Sequence, residues 1–263
     1  MQAIHSEDGQ IVSYRKQGSG PPLVLVHGSF SDHETNWAFV QPHLAAKFTV
    51  YAVARRGRGE TAATAGHSLE DEARDIVAVI RGIGEPVFLI GHSYGAHVAM
   101  SAAAMNPGQV RKLVLYEPPR PELLSREMLA LLLADAYAGD WDEFSMRFFR
   151  DVLCVPVEEL EAVRTSHLWP PILQDAPATL HDLLAVSRHA FQPGRFVGLS
   201  MPVLLQTGSE SPRHLYVTDK LAEVLPHARI QVLTGQAHEG MTTAPGLYVA
   251  ETLDFLEERA AAA

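Results

Sequence analysis

The chain has 263 residues, 47% of them hydrophobic and 20% charged, and a formal net charge of −10. That balance excludes disordered and fibrous classes, and an acidic chain whose one basic cluster is the glycine-broken ARRGRGE at 54–60 offers nothing to a phosphate backbone, so no nucleic-acid partner is expected. The single cysteine, Cys154, cannot build a disulfide framework, no apolar run approaches the roughly 20 residues of a membrane span, and the opening MQAIHSEDGQ has no apolar signal core, so a cytoplasmic protein without membrane contact is expected.

In chain order, residues 2–20 read as a hairpin turned at Asp8-Gly9. PPLVLVHG (21–28), FTVYAVAR (48–55), PVFLIGHS (86–93) and RKLVLYE (111–117) are apolar, β-rich runs of the kind buried on both faces of a parallel sheet. LEDEARDIVAVIRGIG (69–84) is a helix with Ile76, Val79 and Ile80 on one face and Gly82 and Gly84 at its end. From 118 to 197 no strand is predicted. REMLALLLADAYAGDWDEFSMRFFRDVL (126–153) and TLHDLLAVSRHAF (179–191) read as helices, and the intervening LWPPILQDAP (168–177) reads as a Pro-rich turn. Strands resume with MPVLLQTG (201–208) and ARIQVLTG (228–235), and LYVAETLDFLEERAAAA (247–263) closes the chain as a helix. The expected fold is α/β: a mostly parallel sheet flanked by helices, with a core of 1–117 and 198–263 and a helical insertion over 118–197.

GHSYG at 91–95 matches G-x-S-x-G with a strand before it and a helix after it. A serine on so tight a turn is held out at the top of the sheet, and neighbours without side-chain bulk let the backbones pass. Ser93 is therefore the candidate nucleophile, and the Tyr94 N–H, at a helix N-terminus, a candidate oxyanion donor. A hydroxyl needs a base within reach. Of 13 histidines, His238 falls in the loop after the last strand, LTGQAHEGMTTAP (233–245), and is the candidate. LVLVHGSFSDHETNW (23–37) turns sharply at His27-Gly28 and offers the second oxyanion donor, the N–H of Ser29 or alternatively of Phe30, with His27 bracing the loop.

GHSYG at 91–95, the His27-Gly28 loop followed by Trp37, the RRGRGE turn at 55–60 and the late His238 together resemble the α/β-hydrolase superfamily over all but the insertion, which is similar to that family's variable cap. The resemblance implies an eight-stranded sheet and a third triad member, a carboxylate that holds the base in its working tautomer. Family members commonly carry it in a G-x-x-D-type loop after the strand that follows the cap. Here that loop reads Gly208-Ser209-Glu210-Ser211, with serine at the usual acid position. Glu117, at the end of the apolar strand KLVLYEPP and hence in need of a partner, is the first candidate; certain haloalkane dehalogenases keep a glutamate at the corresponding strand end. Glu210, one residue early, is the alternative, and a dyad completed by water or another carboxylate is the third possibility.

The resemblance further implies a serine hydrolase acting on a small, apolar carboxylic ester, lactone or thioester. A cofactor-free perhydrolase or haloperoxidase, a C–C bond hydrolase and a non-catalytic ligand-binding protein are the alternatives. Trp141, Phe144, Phe148, Phe149 and Trp169 are candidates for an apolar acyl pocket. His167, His181 and His189 lack metal-ligand spacing, and no nucleotide-binding glycine loop opens a helix, so neither metal nor cofactor is expected. The expected partner is a small-molecule substrate, and the oligomeric state stays open.

Overall fold

The computed structural model describes residues 1–258. Eight strands form one sheet: β1 (Gln2–His5), β2 (Ile11–Gln17), β3 (Pro22–Val26), β4 (Thr49–Val53), β5 (Val87–His92), β6 (Val110–Tyr116), β7 (Val203–Gly208) and β8 (Ala228–Leu233). Their order is β1-β2-β4-β3-β5-β6-β7-β8, with β2 antiparallel to both its neighbours and every pair from β4 to β8 parallel. The β1–β2 hairpin turns where Asp8-Gly9 predicts it, with Gly9 at φ 86°.

The helices between the strands are α1 (Gln41–Ala45), α2 (Leu69–Ile83) and α3 (Tyr94–Met105); those between β6 and β7 are α4 (Arg126–Ala138), α5 (Trp141–Arg147), α6 (Val157–Arg164) and α7 (Trp169–Arg188); α8 (Thr218–Val224), α9 (Gly240–Thr243) and α10 (Pro245–Glu257) follow. Residues of β3, β5 and β7 are all buried. Alternate positions feed two cores, as the period of 2 requires. Val24, Val26, Leu89, Leu115 and Leu205 meet Ile76, Val79 and Ile80 of α2 on one face, while Leu23, Leu25, Ile90, Val114 and Leu204 meet Trp37, Tyr248 and Phe255 on the other. α2 is bounded as its sequence predicts: Ser68 and Asp71 form a reciprocal capping box, and Gly84 ends it at φ 82°.

Three expectations need correction. The helix predicted over 126–153 is broken: Gly139, at φ 73°, caps α4, and Asp140 starts α5 by accepting the Glu143 N–H, after which 148–152 widen into a π turn. LWPPILQDAP is not a turn. α7 begins at Trp169, because Pro170 and Pro171 fall in its first turn, where N–H groups have no intrahelical acceptor, and it runs on through Pro177. The closing helix, predicted over 247–263, starts at Pro245 and ends at Glu257, with Glu258 outside it; 259–263 of its predicted extent lie outside the described residues.

The chain passes from β3 outward to β4 on one side and returns to place β5 on the other, so the C-terminal ends of β3 and β5 flank a switch in strand order. Crevices at such switches are where open α/β sheets bind ligands.

Candidate active site

β5 ends at His92, and Ser93 turns the chain into α3 at φ 54° and ψ −125°, a conformation disfavoured for a residue with a Cβ. The Ser93 N–H donates to Tyr116 O (2.8 Å) and its carbonyl accepts the Ala96 N–H (2.9 Å), which holds the strained residue from both sides. The flanking glycines are steric necessities. A Cβ on Gly91 would lie 2.6 Å from Ala96 Cα, and one on Gly95 would lie 2.2 Å from His27 O.

The loop that carries His238 lies beside this turn. His92 Nε2 contacts the His238 carbonyl (3.0 Å) and the two rings are 4.7 Å apart. His238 Nδ1 is 2.7 Å from Glu117 Oε2. Glu117 is fully buried at the end of β6, at φ 47°, and its other oxygen accepts Thr207 Oγ1 (3.0 Å) and the Gly208 N–H (2.7 Å). Burial pushes its carboxyl up, but the hydrogen bond and charge of His238, with the Gly208 amide, outweigh that and hold it below the usual range. For His238 burial pulls the pKa down and Glu117 more than reverses it, leaving the imidazole above its ordinary value. Glu210 sits elsewhere: its carboxylate accepts Ser209 Oγ (2.8 Å) in an exposed turn.

Two tyrosines complete the setting of His238. Tyr216 stacks on its ring, 5.3 Å between centroids at 14°. The Tyr116 hydroxyl donates to Ala237 O and accepts the Gly240 N–H (3.2 Å), so it clasps the loop on both sides of the histidine.

Residues 27–30 run alongside the serine turn. The Gly28 N–H donates to Asn36 Oδ1 (3.0 Å), the Phe30 N–H to Thr179 Oγ1 (2.7 Å), and Ser29 Oγ to Asp182 Oδ2 (2.8 Å). Of the two donors open from sequence, Phe30 is thus committed, whereas the amides of Ser29 and Tyr94 have no protein acceptor among the described residues. His27 braces: Nε2 accepts the Arg55 N–H (3.3 Å), so Nδ1 carries the proton and donates to Gly28 O (2.8 Å). Burial, then the charges of Arg55 and Arg58, hold its pKa well below the ordinary value and keep it neutral.

The RRGRGE turn carries the second charged cluster. Arg55 binds Asp182 with both terminal nitrogens (2.9 and 2.7 Å) and Glu72 with one (2.9 Å); Arg58 binds Asp175 (2.9 and 3.0 Å) and Asp182 (3.0 and 2.7 Å). All five are buried, and the cluster joins α7 to the core. Above it, Phe30 meets Phe144, Phe148 and Phe149 at centroid distances of 5.9, 5.0 and 4.8 Å, while Trp141 packs on Phe144 and Trp169 on Phe149.

Comparison with known proteins gives this arrangement its context. Residues 23–252 match the model of the alpha/beta hydrolase family. The chain belongs to that family. It is 34% identical over 200 residues to the pimeloyl-[acyl-carrier protein] methyl ester esterase of Methylococcus capsulatus, covering 71% of this chain and 74% of that protein. It is 37% identical over 120 residues to the pyrrolizixenacetamide deacetylase of Xenorhabdus hominickii, a match spanning only 44% of either protein. Among solved structures, an alpha/beta hydrolase from Sphaerobacter thermophilus superposes with a TM-score of 0.85 at 30% identity, over 97% of this chain and 100% of that one. An esterase from Rhodococcus superposes with a TM-score of 0.78 at 25% identity over 98% of each chain.

In this alpha/beta hydrolase, two side-chain groups among the described residues converge closely enough to suggest a cation: His92, His238 and Glu239, and His67, Glu72 and Asp182. Neither donor set fits one. His92 Nδ1 and Nε2 lie on Asn36 Oδ1 and the His238 carbonyl, and His238 Nδ1 is on Glu117. Glu72 and Asp182 already face two guanidinium groups that would repel a metal ion. His167 and His181 belong to neither set, and His189 lies 3.4 Å from Glu70. No described helix is long and apolar enough to cross a membrane.

Sequence reasoning missed Tyr116, Tyr216, Asn36 and Asp182. Asp182 alone had a signal: two arginines directly after an apolar strand require buried carboxylates, and Asp175, Thr179 and Asp182 recur on one helical face.

Proposed function

We propose that this chain is a serine hydrolase that cleaves a small, predominantly apolar carboxylic ester, lactone or thioester through an acyl-enzyme on Ser93. The observation that carries the reading is the 2.7 Å contact of His238 Nδ1 with fully buried Glu117, one residue beyond the strand that neighbours β5. A carboxylate there fixes the proton on Nδ1 and leaves Nε2 as the base. Ser93 Oγ attacks the acyl carbon as His238 Nε2 takes its proton, and the N–H groups of Ser29 and Tyr94 hold the oxyanion. His238 then protonates the departing oxygen or sulfur, and a water that it deprotonates releases the acid.

The helices between β6 and β7 act as a cap, and the aromatic side chains around Phe30 favour an apolar acyl group. The esterase name of the Methylococcus relative supports ester chemistry at this site. The test is labelling with a fluorophosphonate beside a panel of p-nitrophenyl esters, thioesters, lactones and anilides. Labelling confined to Ser93 and dependent on His238 is expected. A protein that hydrolyses the panel unchanged after Ser93→Ala would overturn the reading.

A further inference from the structure

The direction of an amide N–H is fixed by its peptide plane, because the trans carbonyl in the same plane points the opposite way. Two planes flank Ser29. In the first, the Gly28 carbonyl is held by Arg55 Nη2 (2.9 Å) and His27 Nδ1 (2.8 Å), so the Ser29 N–H of that plane is aimed away from them. Arg55 is itself located by the bidentate carboxylate of Asp182. In the second, the Phe30 N–H is held by Thr179 Oγ1, which in turn donates to Asp175 Oδ2 (2.8 Å). Between the planes, Ser29 Oγ donates to Asp182. Phe30 sits at φ 58°, a conformation a phenylalanine does not adopt unless its surroundings impose it.

Apart from the His27 contact, each of these restraints ends on α7, directly for Ser29 Oγ and the Phe30 N–H and through Arg55 for the Gly28 carbonyl. Asp175, Thr179 and Asp182 are spaced i, i+4 and i+7, on one face of that helix, and Thr179 and Asp182 have no exposed surface. A helix that only covered a site would need none of these contacts to the loop beneath it.

We infer that α7 completes the oxyanion hole, with Asp182 and Thr179 acting as positioning residues that aim the Ser29 amide at the acyl oxygen. The inference rests on the serine-hydrolase reading. Neither residue touches the reacting atoms. Asp182 acts through Ser29 Oγ and Arg55, and Thr179 through the Phe30 amide. The insertion then contributes to the chemical step as well as to substrate choice.

The test uses the full chain with Ser29→Ala, which deletes the tether and keeps the amide, Thr179→Val, which keeps shape and loses the acceptor, and Asp182→Asn. Each is assayed for p-nitrophenyl butyrate turnover per fluorophosphonate-titrated site and for inhibition by an alkyl trifluoromethyl ketone, which adds Ser93 Oγ to give a bound oxyanion. Ser29→Ala and Thr179→Val should lower kcat about 10- to 100-fold with KM within about twofold, and weaken the ketone in proportion to kcat/KM. Ser29→Thr should restore both, and the acid limb of the pH profile, which reports His238, should not move. If Asp182→Asn fails to fold, the other two variants decide. Folded Ser29→Ala and Thr179→Val proteins with wild-type turnover per labelled site, or with slowed turnover and undiminished ketone affinity, overturn the inference. A wild type that neither labels nor hydrolyses esters overturns the serine-hydrolase reading and this inference with it.

Discussion

Glu117 Oε2 lies 2.7 Å from His238 Nδ1, and the other carboxylate oxygen is held by Thr207 Oγ1 and the Gly208 N–H, so this carboxylate is fixed at both oxygens while Glu210 stays in an exposed turn. Glu117→Gln keeps the shape but offers Nδ1 an amide, which permits the wrong tautomer. Its kcat should fall about 10³- to 10⁴-fold, whereas Glu210→Gln should stay within about twofold. Steady-state kinetics on one ester, run on both variants, check this; equal losses would reject Glu117 as the partner.

The direction of the His238 shift sets the pH dependence. Glu117 raises the imidazole above its ordinary 6.5, and only neutral His238 is a base, so kcat/KM should fall on the acid side with a midpoint above that value. In Glu117→Gln the raising charge is gone and burial remains, so the midpoint of the residual activity should move below it. The pair also stabilises the fold over a defined window. The Glu117 contribution is present above its unfolded pKa and lost as pH falls through its lowered folded one. The His238 contribution is full below its unfolded pKa and lost as pH rises through its raised folded one. Urea unfolding of wild type against Glu117→Gln should therefore differ most between about pH 4.5 and 6.5; a difference that grew steadily toward pH 9 would contradict the assignment.

Tyr116→Phe should loosen the base loop. The hydroxyl serves Ala237 O and the Gly240 N–H on either side of His238, and its removal leaves both without that partner. A loss of about 1 to 3 kcal/mol in stability is expected, together with faster amide hydrogen exchange at 237–240, reached by local opening before the sheet opens. Unchanged exchange in that loop would show that the clasp does not hold it.

The parts of this architecture that were legible in the sequence are those set by local rules. Four apolar runs marked buried parallel strands, and a serine between glycines at a strand-to-helix turn marked the Ser93 turn, because a Cβ on Gly95 would lie 2.2 Å from the His27 carbonyl oxygen. The less legible parts depend on contacts remote in sequence. Nothing near Glu117 announces His238, 121 residues later, and the choice between Glu117 and Glu210 turned on which carboxylate the fold carries to Nδ1. α7 was hidden by its own prolines. A local reading treats Pro177 as a breaker, whereas Asp175, Thr179 and Asp182 tie the helix to Arg55, Arg58 and the 27–30 loop on either side of that proline.

That tie makes a last prediction about stability. Arg55 has 1% of its side chain exposed and neutralises Glu72 and Asp182, exposed by 2% and 0%. Arg55→Met preserves much of the volume but leaves buried Asp182 with Arg58 alone, which it shares with Asp175, and buried Glu72 with His67 and the Tyr94 hydroxyl, and should destabilise the fold by about 3 to 5 kcal/mol. The deficit should depend on pH in one direction. Burial pushes the Asp182 carboxyl up, and Arg55 and Arg58 together hold it far below its ordinary range. Without Arg55 its pKa rises, so the variant can take up a proton there that the wild type refuses. The gap between the two proteins should thus narrow as pH falls from 7 toward 5, as read from paired urea titrations. A gap that stayed constant over that range would mean that the loss comes from packing against the Tyr94 ring, over which the Arg55 guanidinium lies at 4.6 Å, and not from the stranded charge.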